Sequence, residues 1–149
     1  MPTKAVVYVS EAAPTVTGDR HSLGSSKLGE LVDDAARFNR YAGVSGVLLY
    51  DGARFLQYLE GPEDGIGVVY SRVRAATSHS GIVELQRASI GARRFPFWPM
   101  RWLPADRGEI GSIVHADWTG FHCRGDSEAM NATGMDLLRK LVHVHLKFA

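Results

Sequence analysis

Two apolar segments joined by an Asp-Gly pair constrain the fold of this 149-residue chain more than any other feature. The segments are Val44–Tyr50 and Arg54–Glu60, and they flank Asp51-Gly52. Asp-Gly favours the positive backbone angles of a tight turn, so apolar runs on either side of it predict a β-hairpin. Because side chains alternate along a strand, Gln57 shares its strand face with Leu59. The hairpin therefore carries an amide on an otherwise apolar face.

Three polar side chains occupy positions that the apolar pattern assigns to the interior. Besides Gln57, Tyr8 ends the apolar run Ala5–Val7, and Asn39 lies on a helical stripe that includes Leu31. A buried amide or hydroxyl costs on the order of a few kcal/mol unless it is hydrogen-bonded. Three such groups on three different elements predict a polar ligand in a mostly apolar slot.

The remaining sequence pattern predicts an α+β fold. The expected elements are a strand over Lys4–Ser10, a helix from Ser25 or Ser26 to about Tyr41, the hairpin, a helix opening at Pro62, a strand over Ile82–Ile90 and a fifth strand over Phe97–Leu103. The order β-α-β-β-α-β specifies a ferredoxin-like sandwich with two helices on one face of the sheet. We expect residues 1–103 to form this domain. Residues 104–149 are expected to form a helical extension, helical from about Gly134, that packs on the open sheet face or at a subunit interface.

Composition excludes several classes of partner. A net charge of +1 argues against bulk attraction to nucleic acid or to an anionic membrane. No apolar run approaches the roughly 18–20 residues that span a bilayer, and no signal peptide is expected. Cys123 is the single cysteine, so an intramolecular disulfide is impossible, which fits a reducing cytoplasm.

Six linked segments between Lys4 and Leu103 point to a known family. They are Val7–Ser10, Asn39, Gly43–Tyr50, Phe55–Pro62, Tyr70–Val73 with His79, and Arg93–Met100. Gln57 follows Gly46 by eleven positions, and Asn39 precedes Gly46 by seven. In these segments and spacings the chain resembles the BLUF domain, a blue-light sensor that binds a flavin, usually FAD. FMN and riboflavin are the alternative cofactors.

The resemblance implies a role for each polar residue. Asn39 is expected to pair with the isoalloxazine carbonyl and ring N–H, and Gln57 to lie between the tyrosine and the flavin. Tyr8 is expected to be the redox-active tyrosine that gives an electron and a proton to the excited flavin. Trp98 and Met100 match the switching pair on the last strand, which senses Gln57.

Other positions are assigned to the cofactor by the same resemblance. Arg72 is expected near the flavin carbonyl or phosphate side, and Leu31 and His79 are expected to contact the cofactor. The chain departs from the family pattern at Ala76, where an acid is common, and at Ala35, where a serine is common. The loop over Glu11–Ser26 is also longer than the family pattern.

The resulting hypothesis is a photoreceptor without a catalytic domain of its own. It would signal to a protein partner in trans or by a change of homo-oligomer, without nucleic acid or membrane. One alternative is a small hydrolase of acyl phosphates, with Gly18–Ser26 and Arg20 as a weak anion-binding loop; another is a light-blind interaction module. A basic stretch could also suggest nucleic-acid binding, but it lacks the aromatic strand signature, so we expect a solvated edge. It comprises Arg87, Arg93, Arg94 and Arg101.

Overall fold

The computed structural model describes residues 3–14, 27–91, 93, 98–116 and 134–147. The strands are β1 (Thr3–Ala12), β2 (Ser45–Tyr50), β3 (Arg54–Pro62), β4 (His79–Ile90) and β5 (Arg101–Pro104). The helices are α1 (Lys27–Ala42), α2 (Glu63–Ala75), α3 (Arg107–Val114) and α4 (Gly134–Lys147). The α+β prediction is therefore confirmed.

The five strands form one mixed sheet in the order β4-β1-β3-β2-β5. The first four are antiparallel to their neighbours and have the order of a ferredoxin-like sandwich, whereas β5 adds parallel to β2. β1 and β3 are paired on both sides, which explains why both read as long buried runs. In the central register Tyr8 lies opposite Gln57, and Gln57 lies opposite Leu48.

The predicted hairpin is confirmed, and its turn shows why Asp-Gly was needed. Gly52 has a φ of 98°, in the region that favours glycine. The Asp51 carboxylate accepts hydrogen bonds from the backbone N–H groups of Ala53 and Arg54 at 2.8 and 2.7 Å. The side chain thus closes the turn from within. This turn fixes the register that directs Gln57 to one face of the sheet.

The two faces of the sheet are covered by different helices. Helices α1 and α2 lie on one face, where Val6, Tyr8 and Leu59 pack with Ile66 and Val69 of α2. Helices α3 and α4 cover the other face through apolar side chains of both helices and of the strands. These are Ala5, Val7, Val9, Val47, Leu49, Leu56, Tyr58, Leu103, Ile110, Ile113, Leu138 and Val142. The apolar stripe of the tail helix is thereby buried against the sheet.

Several boundaries differ from the sequence prediction. β4 begins at His79 rather than Ile82, because β1 extends to Ala12 and pairs with it there. The fifth strand begins at Arg101 rather than Phe97. Pro99 has no N–H, and its carbonyl is taken by the Asn39 side chain at 2.7 Å instead of a neighbouring strand. The pairing of β1 with β4 contains two register shifts. These shifts interrupt the alternation of side chains from which the start of a strand is predicted.

Helix α3 is absent from the sequence prediction, although the sequence carries a signal for it. Asp106 caps the helix and Glu109 returns the bond to the Asp106 backbone, which makes a reciprocal capping box. The motif is Asp-Arg-Gly-Glu, and its Gly108 together with Gly111 lowers helix propensity in an eight-residue element. Burial of Ile110 and Ile113 stabilises the helix against the sheet.

Some predictions lie outside the described residues. These are Cys123, the caps Ser25 and Ser26, Arg94, the 15–26 part of the long loop, and the anion-loop candidates Gly18–Ser26 with Arg20. They stay predictions.

Candidate functional site

A cavity of about 470 Å³ lies between α1, α2 and the sheet. Every residue that the sequence assigned to cofactor binding lines it, and so does Met100. The lining includes Tyr8, Leu31, Ala35, Asn39, Gln57, Arg72, Ala76, His79 and Met100. Apolar walls with a few convergent polar groups are the usual character of a small-molecule site.

A chain of hydrogen bonds crosses the sheet along the cavity wall. The Tyr8 hydroxyl donates to Gln57 Oε1, and Gln57 Nε2 donates to the Met100 sulfur at 3.4 Å. The chain forms because β1 and β3 place Tyr8 directly opposite Gln57 on the same face. A thioether is a weak acceptor, and the second Nε2–H has no partner among the residues described. The amide therefore retains donor capacity for a ligand.

Burial controls the protonation state of Tyr8. The side chain is 2% exposed. Burial, with a smaller contribution from Tyr70, raises the pKa of Tyr8 far above its ordinary value. The ring centroid of Tyr70 lies 5.7 Å away. Tyr8 is thus a neutral phenol whose proton is held toward Gln57 Oε1.

Asn39 contributes the second amide of the site from the buried face of α1. Gly43 has a φ of 74° and ends the helix, as predicted, four residues after Asn39. The Nδ2 group donates to the Pro99 carbonyl at 2.7 Å. Its Oδ1 has no hydrogen-bond partner in the described part of the chain. This carbonyl is available to accept from a ring N–H of a ligand.

His79 joins the end of α2 to β1 beside the cavity. Its Nε2 lies 2.8 Å from the Val73 carbonyl, and its Nδ1 lies 2.6 Å from the Ser10 hydroxyl. A carbonyl can only accept, so Nε2 carries a proton, and in the neutral ring the Ser10 hydroxyl donates to Nδ1. The ring is thereby fixed at 6.0 Å from the ring of Tyr8. Ser10 was not singled out from the sequence, although its position two residues after Tyr8 places it on the same strand face.

Arg72 and two alanines occupy the helix side of the cavity. The Arg72 guanidinium lies over the Phe38 ring, 4.8 Å from its centroid. Ala35 and Ala76, where the family pattern often has polar residues, both line the cavity. Their methyl groups leave more room and fewer hydrogen-bonding groups on this wall than serine and an acid would.

Trp98 does not join the other switch candidates. Its half-buried ring packs against the apolar cluster on the opposite sheet face, and the Arg101 guanidinium lies 4.8 Å from the ring centroid. Its carbonyl accepts a hydrogen bond from Gly46 N at 2.8 Å. Met100, two residues later, takes the place beside Gln57. A Cβ on Gly46 would lie 3.0 Å from Leu59 Cδ2 and 3.4 Å from the Met100 methyl group, so glycine there leaves room chiefly for Leu59.

The described arginines of the basic stretch have local partners. Arg87 binds Glu84 at 2.9 Å, and Arg93 donates to the Gly43 carbonyl at 2.6 Å and to Ser45 Oγ. No cluster of three or more metal-ligand side chains is found within the described ranges. None of the helices in those ranges is both long and apolar enough to cross a bilayer.

Comparison with known families agrees with this geometry. A family model described as "Sensors of blue-light using FAD" matches residues 4–101. The chain belongs to the BLUF family. The predicted family and its flavin cofactor are confirmed.

Individual BLUF proteins give the same result. Over 69 residues the chain is 41% identical to the blue light- and temperature-regulated antirepressor BluF of Escherichia coli (strain K12), covering 46% of this chain and 17% of that protein. Over 91 residues it is 33% identical to the photoactivated adenylate cyclase subunit beta of Euglena longa, covering 61% and 10%. The dark-state structure of the BLUF protein BlrB has a TM-score of 0.70 at 21% identity, covering 97% of each chain. The chain thus spans less than a fifth of either curated relative, and the BlrB likeness supports the fold.

The cavity fits a flavin by its donor and acceptor groups. The polar edge of an isoalloxazine offers a ring N–H, carbonyl oxygens and a ring nitrogen acceptor. Asn39 Oδ1 can accept from the N–H, and the uncommitted N–H of Gln57 can donate to an acceptor. Leu31, Val32 and Phe55 supply apolar walls. The residues therefore complement both the polar edge and the aromatic faces of the ring.

Proposed function

We propose that this chain is a blue-light sensor in which FAD occupies the cavity and the Tyr8–Gln57–Met100 chain reports light absorption. When bound, the flavin supplies the blue-light absorption and the electron-accepting chemistry. The observation that carries the proposal is the position of Gln57. Its amide is bonded to a strong donor, Tyr8, on one side and to a weak acceptor, Met100, on the other.

An amide in this position has two alternative hydrogen-bond arrangements. With Oε1 toward Tyr8, the phenol donates and Nε2 donates to the Met100 sulfur. After reversal of the amide, Nε2 would donate to the Tyr8 oxygen and Oε1 would face the sulfur, which cannot donate. Reversal gives up only a weak N–H···S bond on the Met100 side, but it also takes Oε1 away from the Tyr8 hydroxyl, so in this proposal the change of arrangement is driven by light absorption. A two-state element of this kind is what a local switch requires.

The other polar residues hold the cofactor while the amide changes. Asn39 accepts from the ring N–H and stays anchored by its bond to the Pro99 carbonyl. Arg72 supplies a positive charge at the helix side, and His79 keeps the α2–β4 connection against β1 through Ser10. Leu31 excludes water from the ring face.

In this proposal the signal leaves the site through the segment that follows Met100. The protein acts as a sensor and not as an enzyme. Met100 immediately precedes β5, and Asn39 holds the Pro99 carbonyl beside it. A change at the Met100 sulfur therefore acts on the start of β5, which leads into α3. A protein partner in trans or a change of homo-oligomer would read this movement. Light-scattering mass measurement in darkness and under blue light separates these two outputs.

The decisive experiment is an absorption spectrum of the flavin-loaded protein in darkness and after blue light. We expect a reversible redshift in the wild type. Gln57→Leu should bind flavin and show no redshift, because leucine cannot exchange donor for acceptor. Gln86→Leu is the matched control, since Gln86 lies on β4 outside the cavity lining; its redshift should be normal.

Two results would contradict the proposal. A protein that stays colourless after flavin supplementation does not bind the cofactor. A normal redshift in Gln57→Leu would remove the amide from the switch, even if the flavin is bound.

A further inference from the structure

The guanidinium of Arg93 joins three elements of the fold. Its Nη2 donates to the Gly43 carbonyl at 2.6 Å, just past the end of α1. Its Nη1 donates to Ser45 Oγ at the start of β2, and to the Glu60 carbonyl of β3 at 3.2 Å. The planar fork of an arginine presents several N–H groups in fixed directions, which suits three acceptors at once. These bonds form the Arg93 clasp, which ties α1, β2 and β3 together.

The acceptors of the Arg93 clasp are held in place by the surrounding backbone. A Cβ on Gly61 would lie 2.9 Å from the Gly43 carbonyl oxygen, so glycine at position 61 leaves room for this oxygen beside β3. Ser45 is 2% exposed, and its hydroxyl donates to the Glu60 carbonyl at 3.5 Å. Buried acceptors are costly to leave without a donor. The position of the arginine is therefore strongly determined.

The segment 93–100, which ends in the switch methionine, is held at three points by the same part of the fold. The first point is the Arg93 clasp. At the second, the backbone N–H of Gly46 donates to the Trp98 carbonyl at 2.8 Å. At the third, the side-chain amide of Asn39 donates to the Pro99 carbonyl at 2.7 Å. The region where α1 leads into β2 thus supplies an anchor at each point.

The contact between Met100 and Gln57 depends on this anchoring. Gln57 Nε2 lies 3.4 Å from the Met100 sulfur, and a thioether is a weak acceptor. A bond of this strength does not hold a segment of backbone in place, so the position of the sulfur follows from the anchors. Loss of the Arg93 clasp would free the segment at one of the three points and let the sulfur move away from the amide.

We propose that Arg93 is a positioning residue of the light switch, because its clasp holds the Met100 sulfur against Gln57. The inference rests on the light-sensing function proposed above. Arg93 does not line the flavin cavity, so it acts on the switch through the segment 93–100. Its loss should change dark recovery and leave flavin affinity unaltered.

The test is a double-mutant cycle on dark recovery after blue light. Arg93→Gln should change the recovery rate about two- to tenfold, in the same direction as Met100→Leu, which is the effect of losing one weak hydrogen bond. In the Met100→Leu background, Arg93→Gln should have no further effect, because the sulfur that it positions is already absent. A residue that only stabilises the fold would act equally in both backgrounds.

NMR of the methionine methyl groups in the dark protein provides a second readout. The signal of Met100 is one of four in the chain and is identified by its loss in Met100→Leu. It should shift in Arg93→Gln. Arg93→Lys keeps the charge without the planar fork, so it should shift the same signal, and it serves as the test if Arg93→Gln does not fold.

Arg54→Gln is the matched control. Arg54 is also half-buried, but it pairs with Asp51 at the hairpin turn. This variant should leave both dark recovery and the Met100 methyl signal unchanged.

Additive effects of Arg93→Gln and Met100→Leu on recovery, or an unmoved Met100 signal, would overturn the role of the Arg93 clasp and leave the sensor intact. A wild type that binds no flavin or shows no redshift would overturn the sensor proposal instead. In that case the methyl signal still decides whether Arg93 positions Met100.

Discussion

The two faces of the sheet are built from alternate residues of the same strands, yet they serve different purposes. On β3, Leu56 and Tyr58 are fully buried beneath α3 and α4. On the other face of the same strand, Phe55 and Gln57 line a cavity. One face is filled by the protein's own apolar side chains, and the other leaves space and uncommitted hydrogen-bonding groups.

This difference separates stability from function within a single strand. Close-packed apolar side chains gain both removal from water and contact with neighbours. Side chains around the flavin cavity gain the contribution from contact with neighbours only when a ligand fills the cavity. The α3–α4 face is thus filled by the protein alone, whereas the packing of the α1–α2 face around the cavity is completed by the flavin.

A matched pair of leucine truncations tests this division and should give the largest effect. Leu56→Ala on the filled face should reduce the free energy of unfolding by about 2–5 kcal/mol, because it leaves a void in a closed cluster. Leu48→Ala at the cavity should cost less in the flavin-free protein, since Leu48 already borders empty space. Urea unfolding measures both. An equal or larger loss for Leu48→Ala would contradict the comparison.

Saturation with FAD should raise the free energy of unfolding by somewhat less than Leu56→Ala lowers it. At a free FAD concentration 100 times the dissociation constant, mass action adds about 2.7 kcal/mol to the free energy of unfolding. Asn39→Ala should lower FAD affinity roughly tenfold, because it removes the free amide carbonyl and the anchor to Pro99. The measurement is the melting temperature with and without FAD. An unchanged stabilisation in Asn39→Ala at limiting FAD would remove Asn39 from the site.

The same comparison shows what the sequence could predict. The filled face follows from periodicity alone, since alternation and helical spacing identify residues such as Leu56 and Leu138. The cavity face was located through its exceptions: Tyr8, Asn39 and Gln57 are polar residues at positions that the pattern assigns to the interior. The conflict between pattern and chemistry at these three positions indicates the site from the sequence alone.

Other features depend on contacts that no local pattern carries. The start of β4 is set by pairing with β1 across register shifts, so periodicity placed it three residues late. The separation of Trp98 from Met100 is decided by the backbone around Pro99, whose carbonyl is held by Asn39 from another element. The close approach of α1 and α2, where a Cβ on Gly65 would collide with the Ala42 carbonyl, is likewise a product of tertiary packing. Tertiary contacts determine these positions, so the sequence identifies the residues involved but not where they meet.

The two candidate switch residues, Met100 and Trp98, lie on opposite faces of the sheet. Substituting each of them tests which one senses Gln57, and we expect an effect of intermediate size. Met100→Leu nearly conserves volume and removes the N–H···S bond, so the balance between the amide arrangements should change by about two- to tenfold. Trp98→Phe alters the filled face and should leave that balance unchanged. Dark recovery after blue light, followed by absorption, measures both. If Trp98→Phe changed dark recovery more than Met100→Leu does, the residue that senses Gln57 would be Trp98 on the α3–α4 face. Our assignment of this role to Met100 would then be wrong.

The smallest expected effect concerns an ion pair at the exposed edge strand, β4. The hydrogen bond from Arg87 chiefly lowers the pKa of Glu84, and burial of the carboxyl partly opposes this. A depressed folded-state pKa contributes stability above the ordinary value of 4.5, and this stability is lost as pH falls through the lower folded value. Because the pair is largely solvated, the contribution is about 0.5 kcal/mol.

Glu84→Gln should therefore be less stable than wild type by that amount at neutral pH, and the gap should close well below pH 4.5. Salt at about 1 M, where the Debye length is only about 3 Å, should also narrow it. Urea unfolding at both pH values measures the gap. Flavin affinity should not change, because Glu84 does not line the flavin cavity. A loss of flavin affinity in Glu84→Gln would show that the edge strand and the cavity are coupled through Tyr70, which contacts both Tyr8 and the Glu84–Arg87 pair.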